Sequence, residues 1–173
     1  MRIANFRGDY SFLSNFHACS VEYQGVVYPS AEHAYQAAKS EDPEYRMRIA
    51  MCMTPAEAKR LGRTAKLRPN WDTYKVDIMS GVIWRKFSNP YLREKLLATG
   101  NALLVEGNTW HDNFWGICNC PKCGGVGKNN LGLVLMKVRG IMRHGSEFHI
   151  YDNKEGLTWV FNQRMKSPKP YRI

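Results

Sequence analysis

Three prolines in this chain each follow a residue that can cap a helix: Asp42-Pro43, Thr54-Pro55 and Asn89-Pro90. Proline is pre-shaped for the first helical position, where its missing N–H costs nothing. Asp, Thr and Asn offer a side-chain oxygen to the free amides of the first turn. Thr54-Pro55-Ala56-Glu57 adds the reciprocal glutamate of a capping box. Ser30, directly after Pro29, is a fourth cap, for a helix whose first turn holds Glu32. Start signals this closely spaced demand several short helices.

The remaining elements follow from periodicity. The Ser30 helix is expected to run to about Ser40. Asp72 is expected to cap the next long helix, in which Val76, Met79, Ile83 and Phe87 recur at helical spacing and face the core. The Asn89-Pro90 helix stops at Gly100. A last helix spans Leu131 to Met142, with Leu131, Leu135 and Val138 on one face. Val21-Glu22-Tyr23 and Val26-Val27-Tyr28 flank Gln24-Gly25 and read as a hairpin closed by Pro29. His149-Ile150-Tyr151 and Thr158-Trp159-Val160-Phe161 read as a second hairpin. Alternating βαβ units are missing. The expected fold class is therefore α+β: a helix-rich single domain with a small antiparallel sheet. Residues 1–143 form its body. Residues 144–173 form an extension, a hairpin plus the basic tail RMKSPKPYRI, packed on the same domain.

Charge and cysteines narrow the setting. A formal net charge of +10 favours anionic partners such as nucleic acid or phosphorylated metabolites, without choosing between them. Lys59, Arg63 and Lys66 recur at spacings of three and four, which predicts a basic helix face. No apolar run approaches the roughly 20 residues needed to span a bilayer, and MRIANFRGDYSF lacks a signal-peptide core. Of five cysteines, three crowd into residues 118 to 123, unlike a secreted disulfide scaffold. A cytoplasmic protein with no membrane partner is expected.

Four segments carry candidate chemistry. In Ser30–Lys39, helical spacing puts Glu32, Gln36 and Lys39 on one face, flanked by Ala31, Ala34 and Ala38. The face is either solvated, with charges suited to the helix dipole, or turned into a cleft. Asn108–Gly116 places Asp112 and Trp115 in a loop, where Trp115 either stacks on a base or packs as a core aromatic. Gly124–Asn130 is a glycine-rich turn before a helix. With Lys128 it can hold a phosphate, although the Walker ending is absent. Cys120 and Cys123 have zinc-knuckle spacing beside Cys118, but no second C-x2-C pair follows. Cys19, Cys52 or a histidine would have to complete a site, and three reduced thiols are the simpler reading.

Taken in order, FRGDYSFLSNF, YPSAEHAYQAAK, TPAEAKRLGR, NWDTYKVDIM, LLATGNALLVE, DNFWG and GKNNLGLVLMKVR resemble the NADAR, or YbiA-like, family over about residues 3 to 142. The resemblance implies an N-glycosidase that cuts a ribose C1′–N bond and needs no metal or organic cofactor. It implies two substrate classes: ADP-ribose on a nucleobase in nucleic acid, and phosphorylated ribosylamino-pyrimidine intermediates of riboflavin synthesis. Carried over by residue, the glutamate of the E-H-x-x-Q-x-x-K helix is Glu32, and the acid and tryptophan of D-x-x-W-G are Asp112 and Trp115. The tryptophan of the N-W segment is Trp71. The asparagines of L-S-N-F and N-x-L-G are Asn15 and Asn130. Glu32 and Asp112 are then the catalytic pair, with Asn15, Gln36, Lys39, Trp71, Trp115, Lys128 and Asn130 binding substrate. The insert CNCPKCGGV and the tail after residue 143 depart from the family pattern and bear on substrate choice. A third reading, from another class, is a non-catalytic ADP-ribose or nucleic-acid binding module; the pairing of Glu32 with Asp112 argues against it.

Overall fold

The computed structural model describes residues 1–145, together with the backbone of 147–153 and 156–162. Four of its helices start where the capping signals lie. Helix α1 (Ala31–Ala37) is capped by Ser30, whose Oγ accepts from the amide of His33 at 3.3 Å. Asp42 caps α2 (Pro43–Ala50) through the amide of Glu44 at 2.9 Å. Thr54 caps α3 (Pro55–Leu61) through the amide of Glu57 at 3.1 Å, and Glu57 reaches back to the amide of Met53 at 2.9 Å. Each cap is worth about 1 kcal/mol. Helix α4 (Trp71–Phe87) is the long central helix. Asn89 caps α5 (Pro90–Ala98) through the amide of Leu92 at 3.2 Å, and α6 (Asn130–Arg143) closes the body.

Three expectations are corrected. Helix α1 ends at Ala37 rather than Ser40, because the amides of Lys39 and Ser40 turn back to Gln36 and Ala37 and the chain tightens. The cap position of α4 belongs to Asn70, in the left-handed region at φ 56°, and Asp72 lies in the first turn, paired with Lys75 at 2.7 Å. This start places Trp71 at the first helical position, buried against Tyr35. Lys59, Arg63 and Lys66 do not share a helix face. Helix α3 stops at Leu61, Arg63 follows in a 3-10 turn and Lys66 lies beyond it.

The strands are distributed in pairs rather than gathered in one sheet. Strands β2 (Ala18–Tyr23) and β3 (Val26–Ser30) form the expected hairpin, with Gln24 and Gly25 both at positive φ. Strand β1 (Arg2–Ala4) pairs in parallel with β4 (Leu103–Val105), Ile3 opposite Leu104. Strand β5 (Gly107–Asn108) pairs in parallel with β6 (Ile117–Cys118). Strands β7 (Glu147–Asn153) and β8 (Gly156–Asn162) form an antiparallel hairpin, longer than the expected one, with His149 opposite Val160. The basic tail from residue 163 lies outside the described residues.

Helix α4 is the hub, packing on α1, α5, α6 and β2. Ile78, Met79, Val82, Ile83 and Phe87 from α4 meet Leu131, Val134, Leu135 and Val138 from α6, all buried. Each such side chain contributes about 1.5–3 kcal/mol on burial. Val76, expected among them, is only half-buried at the core's margin. No helix of the described residues is long and apolar enough to cross a membrane.

Candidate active site

Helix α1 does not lie on the surface. Ala31, Ala34, Ala37 and Ala38 are fully buried, and their small side chains let β3 and helices α2, α3 and α4 close around it. The predicted polar face therefore opens into a cleft of about 560 Å³, within the range of small-ligand sites. Glu32 and Gln36 line it almost fully buried, and the Gln36 amide donates to Glu32 Oε1 at 2.7 Å. Lys39, half-buried, also lines it and donates to the carbonyl of Gly62 at 3.0 Å. Gly62 packs against Gln36 so closely that a Cβ there would lie 1.9 Å from Gln36 Oε1.

The Asn15 loop forms a second wall. Its backbone carbonyl accepts from the amide of Glu32 at 3.0 Å, fixing the start of α1. Its Nδ2 faces Met79 Sδ at 3.4 Å, while Oδ1 is buried without a hydrogen-bond partner among the described residues. The loop is anchored by Lys86, a fully buried residue of α4 whose Nζ donates to the carbonyl of Ser14 at 2.6 Å. Burial lowers that ammonium to a pKa of about 8.

Aromatic rings make a third wall. Tyr35 lies 5.3 Å from Trp71 and 5.4 Å, edge on, from Trp115, which meets Phe114 edge on at 5.0 Å. Trp110, half-exposed, also faces the cleft. Asp112 sits in this wall. Its Oδ1 accepts from the amides of Phe114 at 3.2 Å and Trp115 at 2.8 Å. Asn108 grips both peptide groups of Asp112, at 2.8 and 3.1 Å.

A third carboxylate, Glu106, also lines the cleft; it ends the segment LLATGNALLVE, in which nothing local marks it as a site residue. It follows β4 directly, and its amide donates to Asn129 Oδ1 at 2.9 Å while Asn129 Nδ2 donates to the carbonyl of Leu104 at 2.9 Å. Glu106 Oε2 is buried without a hydrogen-bond partner among the described residues. Burial, then the charges of Asp112 and Glu32, push its carboxyl up to about 7; Lys59 and Arg7 oppose the shift. Burial likewise raises Glu32 above the ordinary carboxyl range, opposed by Lys59, the Gln36 amide and Lys39 and reinforced by Asp112. Burial and then the carboxylates push Tyr35 upward, so its phenol stays protonated. Arg7, Lys39, Lys59, Arg63 and Lys75 surround these acids.

The glycine-rich turn plays another part here. Lys128 and Asn130 are not among the cleft-lining residues. Lys128 Nζ lies 5.6 Å from the Phe114 ring centre, and Asn130 Nδ2 donates to the carbonyl of Phe114 at 2.9 Å. Both brace the aromatic wall from behind. Cys118, Cys120 and Cys123 converge outside the cleft lining with His111, a residue the spacing of the cysteines did not single out.

A family model, the NADAR domain, matches residues 5–143. The chain belongs to the NADAR family. It is 40% identical over 134 residues to the N-glycosidase YbiA of Escherichia coli, covering 76% of this chain and 81% of that one. It is also 40% identical to an N-glycosidase of Nostoc punctiforme, over 78% and 87% of the two chains. A riboflavin biosynthesis protein of Vibrio vulnificus is 34% identical over 82% of this chain but only 38% of its own length. The NMR structure of E. coli YbiA superimposes with a TM-score of 0.70 at 36% identity, covering 83% of this chain and 87% of that one. This NADAR protein is thus an enzyme of the N-glycosyl hydrolase kind, with the mixed, helix-rich fold of its structural neighbour.

Proposed function

We propose that the chain hydrolyses the ribose C1′–N bond of an ADP-ribosylated nucleobase, ADP-ribosyl-guanine in nucleic acid, and so reverses ADP-ribosylation. One observation carries this reading: a single cleft combines three carboxyl groups, an aromatic wall and five cations from separate segments. Cations spread around a cleft suit an extended diphosphate better than one terminal phosphate.

Breaking the C1′–N bond builds positive charge on C1′ and the ring oxygen. Glu32, as an almost fully buried carboxylate, stabilises that charge and takes a proton from the attacking water. Gln36 holds its Oε1, so the carboxylate is fixed before substrate arrives. Glu106, with a pKa near 7, is matched to deliver a proton to the departing base at neutral pH. Asp112, gripped through its own backbone and through Oδ1, orients water or a ribose hydroxyl. Trp71 or Trp115 stacks on the base. Asn15 Oδ1 is free to accept from the sugar. Lys39 with Lys59 and Arg63 holds phosphate, and Lys128 and Asn130 serve by keeping the wall in place. No disulfide joins any of the five cysteines, which suits a cytoplasmic setting.

A second reading, hydrolysis of phosphorylated ribosylamino-pyrimidines, is favoured by the riboflavin biosynthesis relative. Incubation with ADP-ribosylated DNA and, separately, with a ribosylamino-pyrimidine phosphate, measuring released sugar, separates the two. Release from the DNA alone supports the first reading. Release from the pyrimidine alone moves the chain to the second, and release from neither supports a binding module. Glu32→Gln is expected to fold normally and lose turnover about a hundredfold or more, the scale of a lost acid–base group. Turnover at the native rate would remove Glu32 from the mechanism.

A further inference from the structure

We propose that His111, Cys118, Cys120 and Cys123 form a closed, structural zinc site. Their ligand atoms all lie within 4.8 Å of one another. Zinc bonds of about 2.3 Å to sulfur and 2.0 Å to nitrogen set tetrahedral edges of about 3.5–3.8 Å. His111 Nδ1 already stands 3.4 Å from Cys120 Sγ and 3.3 Å from Cys123 Sγ. Four protein ligands leave no coordination position for water or substrate, which makes the site structural rather than catalytic.

The surrounding loop is shaped for a metal. Cys120-Pro121-Lys122-Cys123-Gly124-Gly125 turns on amides of Cys123 and Gly124 that donate to the carbonyl of Cys120, at 3.1 and 3.0 Å. Gly124 and Gly125 both have positive φ, so the chain reverses tightly after Cys123. The amide of Cys123 points at Cys120 Sγ at 3.4 Å, and Asn113 Nδ2 at Cys123 Sγ at 3.5 Å. Such N–H groups stabilise thiolates in the second layer of a metal site. Cys118 arrives from β6, held by the carbonyl of Val126 through its amide at 3.1 Å. His111 adopts φ 66°, a left-handed conformation that costs a non-glycine residue of order 1 kcal/mol and aims its ring at the sulfurs.

Binding releases three thiol protons and leaves a complex of charge −1. It ties together the two ends of the loop that bears the aromatic wall: His111 directly precedes Asp112, and Cys118 lies in the strand paired with Asn108, which grips Asp112. Binding itself does not depend on which substrate the cleft takes.

The test is metal content. Chain produced with zinc available and purified under reducing conditions is expected to carry about one zinc. Cys120→Ser and Cys123→Ser are expected to carry almost none, while Cys19→Ser and Cys52→Ser retain it. His111→Ala is expected to weaken binding at least tenfold. Chain stripped with a chelator is then titrated with Co²⁺, which should give tetrahedral visible bands and thiolate charge-transfer absorption at one equivalent. Zinc content unchanged in Cys120→Ser would overturn the proposal. So would native chain that holds no zinc and gives no thiolate–cobalt absorption, or that forms a disulfide among the three cysteines under those conditions. The titration of native chain decides the matter even where a variant fails to fold.

Discussion

Glu106→Gln replaces a buried carboxyl with a neutral group of the same shape and should stabilise the protein relative to the native chain by an amount that grows as pH rises. The folded pKa of about 7 exceeds the reference value of 4.5, so folded chains hold their proton where unfolded chains have lost it. Stability therefore falls as pH climbs from about 4.5 to about 7, and the penalty is complete above that window. A gap of about 2.5 pKa units corresponds to about 3 kcal/mol at pH 8, against about 1 kcal/mol at pH 5. The glutamine variant lacks this penalty. Its advantage over the native chain should grow by about 2 kcal/mol between the two pH values, or about 4–8 °C in Tm for a chain of this size. Thermal melts of both proteins at pH 5 and pH 8 measure it. A difference in Tm that stays constant across that range would refute the argument that burial and the charges of Asp112 and Glu32 hold the proton on Glu106. Asp112→Asn offers an internal check, since removing that charge should shrink the growth in the difference.

Other consequences are direct. Gly62→Ala forces a Cβ into Gln36 Oε1 and should push the amide off Glu32, costing about 1–3 kcal/mol of stability and lowering kcat/KM; an unchanged kcat/KM would show that Gln36 does not hold Glu32. Lys59→Met removes the largest influence opposing the raised pKa of Glu32, so the acid limb of the kcat/KM profile should move to higher pH. The position of that limb, not the overall rate, is the readout. Ile83→Ala empties a fully buried site in α4 and should cost about 2–5 kcal/mol in denaturant unfolding, with the denaturant dependence unchanged.

What the sequence made legible is what short-range chemistry encodes. Ser30, Asp42, Thr54 and Asn89 announce their helices because a cap acts within three residues. Glu32 and Gln36 share a face by helical period alone. That this face is buried depends on β3, α2, α3 and α4 closing around α1, which no local pattern states. Asp72 looked like a cap because its side chain suits the role, yet tertiary packing of Trp71 shifted the start to Asn70. Glu106 was hidden at the end of an apolar strand. Its place in the cleft follows from the parallel pairing of β1 with β4 and from Asn129, both long-range. His111 was hidden for the same reason: it joins the cysteines through a fold-back of the loop, not through spacing.

The pairing of Arg2–Ala4 with Leu103–Val105 spans about a hundred residues of chain. During synthesis, the first strand leaves the ribosome long before its partner exists. The cleft wall that carries Glu106 can therefore close only after most of the body of the chain has been made. High contact order of this kind slows folding and leaves a strand edge open meanwhile. Extra residues fused at Met1, beside this strand, would burden assembly of the cleft more than their distance along the sequence from Glu106 suggests.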